Sequence, residues 1–341
     1  MSSSATASFC RQTEPLFVGQ APAIKAALDL VARIAPTRAT VLITGETGTG
    51  KELIARMLHA RSDRADRPFL AINCGAMADS LVESELFGHA RGAFTGANAQ
   101  RAGKFAAAHG GTLFFDEVTS MSGHTQSALL RVLQSGEYCP IGSEQVVVCD
   151  VRVIAAVNQD LRELVAAGTF RADLFYRLNI VRIHLPPLRE RRADLPMLID
   201  HYLRVFARRY GRGAVQLDPS SRRQLLDYDY PGNVRELETI IHRATLLGEG
   251  PVVSVEGLLE PAPTTSASCA PPEALGSFHR DKARVVEKFE RDYLIAAMRR
   301  SRGIITEAAR AAGLSERNFH LKLRKYGLGR RAALEADPQI G

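Results

Sequence analysis

The hydrophobic pattern of the first half of the chain alternates between short apolar runs and stretches of helical spacing. The apolar runs have the length and composition of buried strands, and they lie at 40–44, 69–73, 112–115, 151–157 and 180–185. The first stretch with helical spacing of apolar residues runs through Ile24, Ala27, Leu28, Val31 and Ile34. This alternation predicts an α/β fold with a mostly parallel sheet flanked by helices.

A different pattern begins after Pro186 and Pro187, where the strand-like runs stop. Three stretches of helical spacing follow and predict a small helical lid. Residues 260–273 are rich in Pro, Ser and Thr, which indicates a linker, and helix, tight turn and helix follow over 305–326. We expect an α/β subdomain over 15–186, the lid over 187–259, the linker over 260–279, an all-α helix-turn-helix domain over 280–331, and tails at 1–14 (disordered) and 332–341.

The composition is that of a globular protein without a membrane segment. Hydrophobic residues make up 45% and charged residues 24% of the chain, the balance of an ordinary globular protein. No apolar run approaches the roughly 18 residues that a membrane span requires, and no signal-peptide pattern opens the chain. The five cysteines are scattered without CxxC spacing, so we expect free thiols and a cytoplasmic protein.

The positive charge is concentrated near the C-terminus. Residues 280–331 hold 15 Lys or Arg against 6 Asp or Glu, whereas the formal net charge of the whole chain is only +7. Such a basic segment favours an anionic partner, most often nucleic acid. A segment that only improves solubility, or a basic helical hairpin that docks on a protein, is the alternative.

A glycine-rich loop follows the first apolar run. Its sequence, Gly-Glu-Thr-Gly-Thr-Gly-Lys, opens a helix, so backbone N–H groups converge on a phosphate site and the lysine adds the compensating charge. Glu52 replaces the Ser or Thr whose hydroxyl usually binds magnesium. The expected ATP-binding residues of this P-loop are Gly45, Glu46, Thr47, Gly48, Thr49, Gly50, Lys51 and Glu52.

The apolar run at 112–115 ends in two acids. We expect Asp116 to hold Mg²⁺ through water and Glu117 to polarise the water that attacks the terminal phosphate. Two acids at a strand end can also form a solvated turn, but the P-loop upstream favours the catalytic interpretation. Together the two motifs predict an ATPase that uses ATP and Mg²⁺.

Residues 92–97 lie between these two motifs and read Gly-Ala-Phe-Thr-Gly-Ala. In this setting the chain resembles the AAA+ activators of sigma-54 RNA polymerase, the bacterial enhancer-binding proteins, from about Phe17 to Tyr326. Glu at the position of Glu52 is usual in that family. The resemblance implies an AAA+ fold and an ATP-dependent contact with sigma-54 through Gly92, Ala93, Phe94, Thr95, Gly96 and Ala97.

The resemblance also implies catalytic roles outside the two motifs. Asn73 would restrain Glu117 until the partner is engaged, and Asn158 would sense the γ-phosphate. Arg171 and Arg177 would be arginine fingers that reach the site of a neighbouring subunit, so that a ring is required. The alternatives are a strand-capping role for Asn73 and surface salt bridges for the two arginines.

Further resemblance concerns the nucleotide pocket. Phe17, Val18 and Gly19 would line the adenine pocket, and Arg235 of the lid would sense the state of the nucleotide. Two positions depart from the family pattern: Val157 stands where Thr is usual, and Tyr230 where Trp is common.

The C-terminal helix pair resembles the Fis-type helix-turn-helix that ends these activators. A recognition helix lies in the major groove with its N-terminal residues over the base edges, and basic residues further along contact phosphates. The resemblance therefore implies DNA contacts from Ser315, Arg317, Asn318, His320, Lys322, Arg324 and Lys325.

The leading hypothesis is a transcription activator that binds enhancer DNA, forms a ring, expected to be a hexamer, and remodels sigma-54 holoenzyme from closed to open complex. The alternative is a DNA-binding regulator whose ATPase domain only controls oligomerisation. Because the ATPase begins near residue 15, we expect no N-terminal receiver or ligand-sensing domain. Control would then come from expression level, from a regulatory protein acting on the ATPase domain, or from co-assembly with a paralogue.

The loop assignment predicts a separation of activities. Thr95→Ala should keep ATP hydrolysis and ring formation but lose promoter opening, since only the contact with sigma-54 is removed. Hydrolysis assays, sedimentation and open-complex assays on a sigma-54 promoter measure the three properties. Promoter opening at the wild-type level by this variant would refute the assignment.

Overall fold

In this computed structural model, the described residues are 17–94, 97, 99–259, 286, 287, 290, 291, 293–298, 300, 301 and 304–326. The chain divides between residues 262 and 263 into two compact units. The predicted tails and the predicted linker lie outside the described residues, and the domain boundaries stay predictions. Among the described residues, no helix is both long and apolar enough to cross a membrane.

The first unit is built on five parallel strands: β1 (Val41–Thr44), β2 (Phe69–Asn73), β3 (Thr112–Asp116), β4 (Arg152–Val157) and β5 (Val181–His184). Their order in the sheet is β2–β3–β4–β1–β5. Each strand matches a predicted apolar run to within one residue at either end. The predicted parallel α/β fold is therefore confirmed.

Helices cover both faces of this sheet because alternate residues of its central strands enter two different cores. On β4, Val153 and Ala155 belong to one core, and Ile154 and Ala156 belong to the other. The second core is covered by α1 (Pro22–Ile34) and α2 (Lys51–Ala60). The first core is covered by α3 (Asp79–Phe87), α4 (Lys104–Ala107), α5 (Gly123–Ser135), α6 (Leu161–Ala166) and α7 (Ala172–Leu178).

The helical lid has a core of its own. Two short 3-10 turns, Leu188–Glu190 and Arg192–Asp194, lead from β5 into α8 (Leu195–Arg209), α9 (Pro219–Asp227) and α10 (Asn233–Leu247). A short parallel pair, Gln216–Leu217 with Val252–Val253, closes its far side. Fully buried Tyr230 packs in this core and donates a hydrogen bond from its hydroxyl to Leu225 O at 2.6 Å. The tyrosine thus fills the place where the family commonly has Trp.

Two antiparallel pairs of two-residue strands lie outside the five-stranded sheet, and the sequence analysis did not predict them. Gly88–His89 pairs with Arg101–Ala102, and Glu137–Tyr138 pairs with Val147–Val148. Such short strands carry no periodic signal in the sequence, because alternation needs about four residues to be recognised. The first pair brackets the segment that contains Gly-Ala-Phe-Thr-Gly-Ala.

The second unit is all-α where it is described, as predicted. Helical backbone occurs at described positions between 286 and 300, and is followed by α11 (Ile305–Ala311) and α12 (Glu316–Lys325). A small core is formed by Leu294, Met298, Ala308, Ala309, Phe319 and Leu323. The turn between α11 and α12 contains Gly313 at φ +65°, and Ser315 caps α12 by accepting a hydrogen bond from Asn318 N at 3.3 Å.

Candidate functional site

A cavity of about 300 Å³ lies where the P-loop, the carboxyl ends of β2 and β3 and the lid helices meet. This edge of a parallel sheet is the usual place for a nucleotide. The structure brings most of the predicted ATP-site residues to the cavity wall: Phe17, Val18, Thr47, Gly48, Thr49, Gly50, Lys51, Glu52, Asn73, Asp116, Glu117 and Arg235. Gly19, Gly45, Glu46 and Asn158 do not line it.

The P-loop leads into the N-terminus of α2. Gly50 is the N-cap residue of α2 at φ +103°, and the helix dipole therefore faces the cavity. Buried Lys51 folds its ammonium back onto the loop, donating to Gly45 O at 2.8 Å and Glu46 O at 2.9 Å. Burial lowers the pKa of Lys51, against the opposing effect of the Asp116 and Glu117 charges. A ligand phosphate would supply the counter-charge that this lysine lacks.

The two acids at the end of β3 lie in different surroundings. Burial raises the pKa of Asp116, although the charge of Lys51 acts in the opposite direction. Glu117 has left-handed backbone angles (φ +56°, ψ +49°), and its carboxylate lies against Gly75, where an added Cβ would be 2.2 Å from Oε2. The chain turn at Glu117 therefore points the second acid toward the segment that follows β2.

Asn73 contacts the first acid rather than the second. Its Nδ2 lies 3.4 Å from Asp116 Oδ2, while its Oδ1 accepts hydrogen bonds from Gly75 N at 2.9 Å and Ala76 N at 3.0 Å. Register pairing of β2 with β3 places Asn73 opposite Asp116, which accounts for the contact. The implied restraint of Glu117 by Asn73 is not among the hydrogen bonds of the described residues.

The side chain of Glu46 contacts the lid. Its carboxylate accepts two hydrogen bonds from Arg189, at 2.5 and 2.8 Å, and a third from Asn233 Nδ2 at 3.1 Å. These contacts, with the Arg189 hydrogen bond first, hold the pKa of Glu46 below its usual range. Glu46 therefore joins the P-loop to the lid instead of facing the cavity.

Arg191 and Asp194 were missed by the sequence analysis. Arg191 is 2% exposed, lines the cavity, donates to Thr49 O at 3.0 Å and lies 5.8 Å from the ring centroid of Phe17. Asp194 is fully buried and accepts hydrogen bonds from Gln20 N at 2.6 Å and Ala21 N at 2.8 Å. The run Leu188–Asp194 contains five charges, which reads as a solvent-exposed segment, so its sequence gave no sign of burial.

The cavity fits a nucleotide by its donor chemistry. Nε and Nη1 of Arg191 are buried without a hydrogen-bond partner, and a polar ligand atom would satisfy them. The lid backbone closes against the P-loop here, since a Cβ on Gly48 would lie 2.2 Å from Gly232 O. The donors of Lys51 and the α2 N-terminus suit phosphates, while Arg191 and the ring of Phe17, 5.8 Å apart, suit the base of a nucleotide. Asp116 is the cavity carboxylate that fits a hydrated Mg²⁺.

The remaining predicted catalytic residues lie outside this cavity. Asn158 follows β4, next to Val157, whose carbonyl accepts from Gly45 N at 3.2 Å. Arg171 is engaged within its own chain, by Asp173 at 2.7 and 3.0 Å and by Ser127 Oγ at 3.1 Å. Arg177 is exposed on α7 and has no ion-pair partner among the described residues. Of these two arginines, only Arg177 is without an ion pair or side-chain hydrogen bond among the described residues.

The start of the segment that contains Phe94 is anchored by a neighbouring hairpin. Ala90 N donates to Ile141 O and Ile141 N donates to Gly88 O, both at 2.9 Å, which ties the segment to the hairpin 137–148. At the tip, Gly92 N donates to Ala97 O at 2.9 Å, and Phe94 is 44% exposed with its ring 5.0 Å from that of His89. Ala97 is buried, whereas Thr95 and Gly96 lie outside the described residues. The apolar tip is therefore presented to solvent.

The predicted DNA-contacting residues fall into two groups. Lys322 turns inward, with Nζ 2.6 Å from Glu290 Oε1, and Ser315 is occupied as a helix cap. This lysine, with Tyr326, holds the pKa of Glu290 below its usual range. The others form an exposed, mostly basic face on α12: Arg317, Asn318, His320, Arg324 and Lys325.

Three known protein families match consecutive parts of the chain. Residues 17–184 match the Sigma-54 interaction domain, residues 189–273 match the AAA+ ATPase lid domain, and residues 285–326 match the Fis family of bacterial regulatory proteins. The first match covers the P-loop side of the cavity, the second covers the lid with its part of the cavity wall, and the third covers the helix-turn-helix.

Several known proteins are similar over most of the chain. Transcriptional regulatory protein ZraR of Salmonella typhimurium is 45% identical over 306 residues, which are 90% of this chain and 68% of that protein. The C4-dicarboxylate transport regulatory protein DctD of Pseudomonas aeruginosa is 44% identical over 95% of this chain and 67% of its own length. Crystal structures of NtrX from Brucella abortus with ADP and with ATP are 35% identical, with TM-scores of 0.69 and 0.68, and cover 92% and 93% of this chain and 70% of their own.

The raised pKa of Asp116 predicts a stability cost at neutral pH. A carboxyl whose folded-state pKa exceeds its unfolded value favours the fold when protonated, and that contribution is lost as pH rises through the folded pKa. Asp116→Asn should therefore stabilise the ligand-free protein at pH 7, by on the order of 1 kcal/mol or less after solvent screening. Thermal unfolding between pH 5 and 8 measures the effect.

The gain from Asp116→Asn should shrink as the pH falls toward the folded-state pKa of Asp116, because a growing fraction of the wild-type carboxyl is then protonated. Glu144→Gln, at an exposed acid outside the cavity, is the matched control and should change little. A lower unfolding midpoint for Asp116→Asn at pH 7 would contradict burial as the dominant influence.

Proposed function

This chain belongs to the family of sigma-54-dependent transcriptional regulators with a DNA-binding helix-turn-helix, and we propose that it couples ATP hydrolysis to opening of the sigma-54 promoter complex. The observation that carries the proposal is the path from the cavity to the loop. Asn73 contacts Asp116, the chain then enters α3, and α3 ends at Gly88, where the base of the loop begins. A change in the position of Asp116 could therefore reach Phe94 through Asn73 and α3.

The P-loop is proposed to bind the phosphates of ATP. Lys51 and the N-terminus of α2 would neutralise their charge, while Phe17 and Arg191 would hold the base end. Complexes of the similar NtrX with ADP and with ATP support nucleotide binding here. Arg235, on the cavity wall, would report the state of the nucleotide to the lid.

The two acids would carry the chemistry. When bound at Asp116, Mg²⁺ supplies positive charge to the phosphate oxygens. Glu117 would orient a water molecule and accept its proton as the water attacks the terminal phosphate. The left-handed turn at Glu117 lets its carboxylate face the segment after Asn73, which supports a role in signalling to the loop. Asn158, beside the start of the P-loop, is the proposed γ-phosphate sensor.

A ring is proposed because two arginines expected in the reaction lie outside the cavity of their own chain. Arg177 is exposed between Tyr176, which is 74% exposed, and the nearby Ile180, which is 56% exposed. Apolar side chains flanking a free arginine suit an interface with a second copy of the chain. A hexamer is the proposed assembly, and a paralogue could replace some of its subunits.

The alternative, in which the ATPase domain only controls oligomerisation, leaves the loop unexplained. A regulator of that kind does not need Phe94 presented to solvent on a segment whose two flanks pair with each other as short antiparallel strands. The exposed basic face of α12 supports the proposed binding to enhancer DNA.

The decisive experiment is open-complex formation with purified protein, ATP and sigma-54 holoenzyme on a sigma-54 promoter. Opening should require hydrolysable ATP and should not occur with sigma-70 holoenzyme. ATP hydrolysis by assembled rings without any opening would instead favour the oligomerisation-only alternative.

Because Arg177 has no ion-pair partner among the described residues, we expect it to act on the ATP site of a neighbouring subunit, so that two inactive variants should complement each other when mixed. Arg177→Ala and Lys51→Ala should each reduce ATPase activity by about 10³-fold, the lower limit for loss of an arginine finger. An equimolar mixture should recover about a quarter of the wild-type activity, because a random half of the subunits keep the P-loop and half of their neighbours supply the arginine. Arg208→Ala, at an exposed lid arginine, is the matched control. A mixture no more active than its components would refute action between subunits.

A further inference from the structure

The recognition helix α12 carries a leucine at the centre of its outward face. Leu321 is 57% exposed and does not belong to the hydrophobic cluster of the second unit's described residues. Phe319 and Leu323, on either side of it in sequence, are both buried in that cluster. At 100° per residue, Leu321 points almost opposite to the mean direction of these two side chains.

The rotation of α12 about its axis is fixed by polar contacts as well as by the core. Lys322 Nζ and Tyr326 OH both bind the carboxylate of Glu290, each at 2.6 Å. These bonds hold one side of α12 against the helical segment that contains Glu290. Exposure of Leu321 is therefore a consequence of how the helix is docked.

The surroundings of Leu321 are polar and mostly cationic. On a helix the surface neighbours of a residue lie three and four positions away, and for Leu321 these are Arg317, Asn318, Arg324 and Lys325. All four are exposed, and among the described residues neither Arg317 nor Arg324 has an ion-pair partner. The outward face of α12 thus presents one apolar side chain surrounded by three cationic side chains and one amide.

This combination fits duplex DNA better than protein. The cores of protein interfaces are depleted of charged residues, so a single leucine among three cations is a poor centre for such a contact. The major groove, in contrast, lies between two phosphate backbones and exposes one apolar group, the C5-methyl of thymine. The cationic side chains around Leu321 can therefore meet the DNA phosphates while Leu321 itself meets the thymine methyl group.

We propose that Leu321 packs on the methyl group of a thymine and thereby selects a T·A pair at one position of the recognised sequence. The proposal rests on the proposed binding of DNA by this helix and adds a specificity-determining residue to it. Arg317 and Asn318, nearer the N-terminus of α12, read neighbouring base edges, while Arg324 and Lys325 contact phosphates.

The test begins with selection of bound sequences from a random duplex library by the full-length wild-type chain. Each thymine of the selected duplex is then replaced singly by dU, which removes only the methyl group. One replacement should weaken wild-type binding by about fourfold, the change expected for one buried methyl group.

Variants assign that effect to the residue. Leu321→Ala should lose the sensitivity to dU while keeping the other sequence preferences, and Leu321→Met should retain it. Leu246→Ala, which removes a 56%-exposed leucine from the lid, is the matched control and should behave as wild type.

Four outcomes would overturn the inference, and they differ in what else they affect. Sequence-specific binding in which no thymine is sensitive to dU, or sensitivity that persists in Leu321→Ala, refutes the methyl contact alone. Failure of the wild-type chain to select any sequence refutes the proposed DNA binding as well. Loss of transcription activation by Leu321→Ala with unchanged DNA affinity and dU sensitivity assigns the leucine to a protein contact.

Discussion

The candidate site depends on the close approach of the P-loop backbone to the lid. Gly48 O accepts a hydrogen bond from Val234 N at 3.0 Å, and a Cβ on Gly48 would lie 2.2 Å from Gly232 O. Buried Asn233, at φ +56°, reinforces the junction by hydrogen bonds to Thr47 O and Leu188 N. Because the phosphate-binding loop and the lid share these contacts, a ligand that shifts the loop by a fraction of an ångström must also shift the lid.

Charge is buried around this junction at a cost that a nucleotide can offset. Lys51 and Arg191 are both more than nine-tenths buried, and Asp194 is fully buried with one carboxylate oxygen unpaired. The unpaired Nε and Nη1 of Arg191, which lines the cavity, destabilise the empty site, and a polar ligand atom that accepted hydrogen bonds from them would offset that cost. Arg191 therefore lowers the stability of the ligand-free protein and increases the gain in stability that a bound ligand would give.

The segment that bears Phe94 begins where α3 ends, at Gly88. Its base is held by the paired strands Gly88–His89 and Arg101–Ala102, and by backbone hydrogen bonds to Ile141. Gly103 allows the two strands to touch, since a Cβ there would be 2.4 Å from Gly88 N. These contacts join the end of α3 to both flanks of the segment that bears Phe94.

The sequence alone determined the five strands, the P-loop, the two acids, the family and the positions of the helix-turn-helix, because each rests on local periodicity or on contiguous residues. Only the tertiary structure decided the contacts between distant segments. It turned Glu46 toward Arg189, paired Asn73 with Asp116, occupied Arg171 with Asp173 and Ser127, and buried Arg191 from a segment that reads as surface. Which charged side chains pair with each other depends on which distant segments the sheet and the lid bring together. No local sequence pattern specifies those long-range contacts.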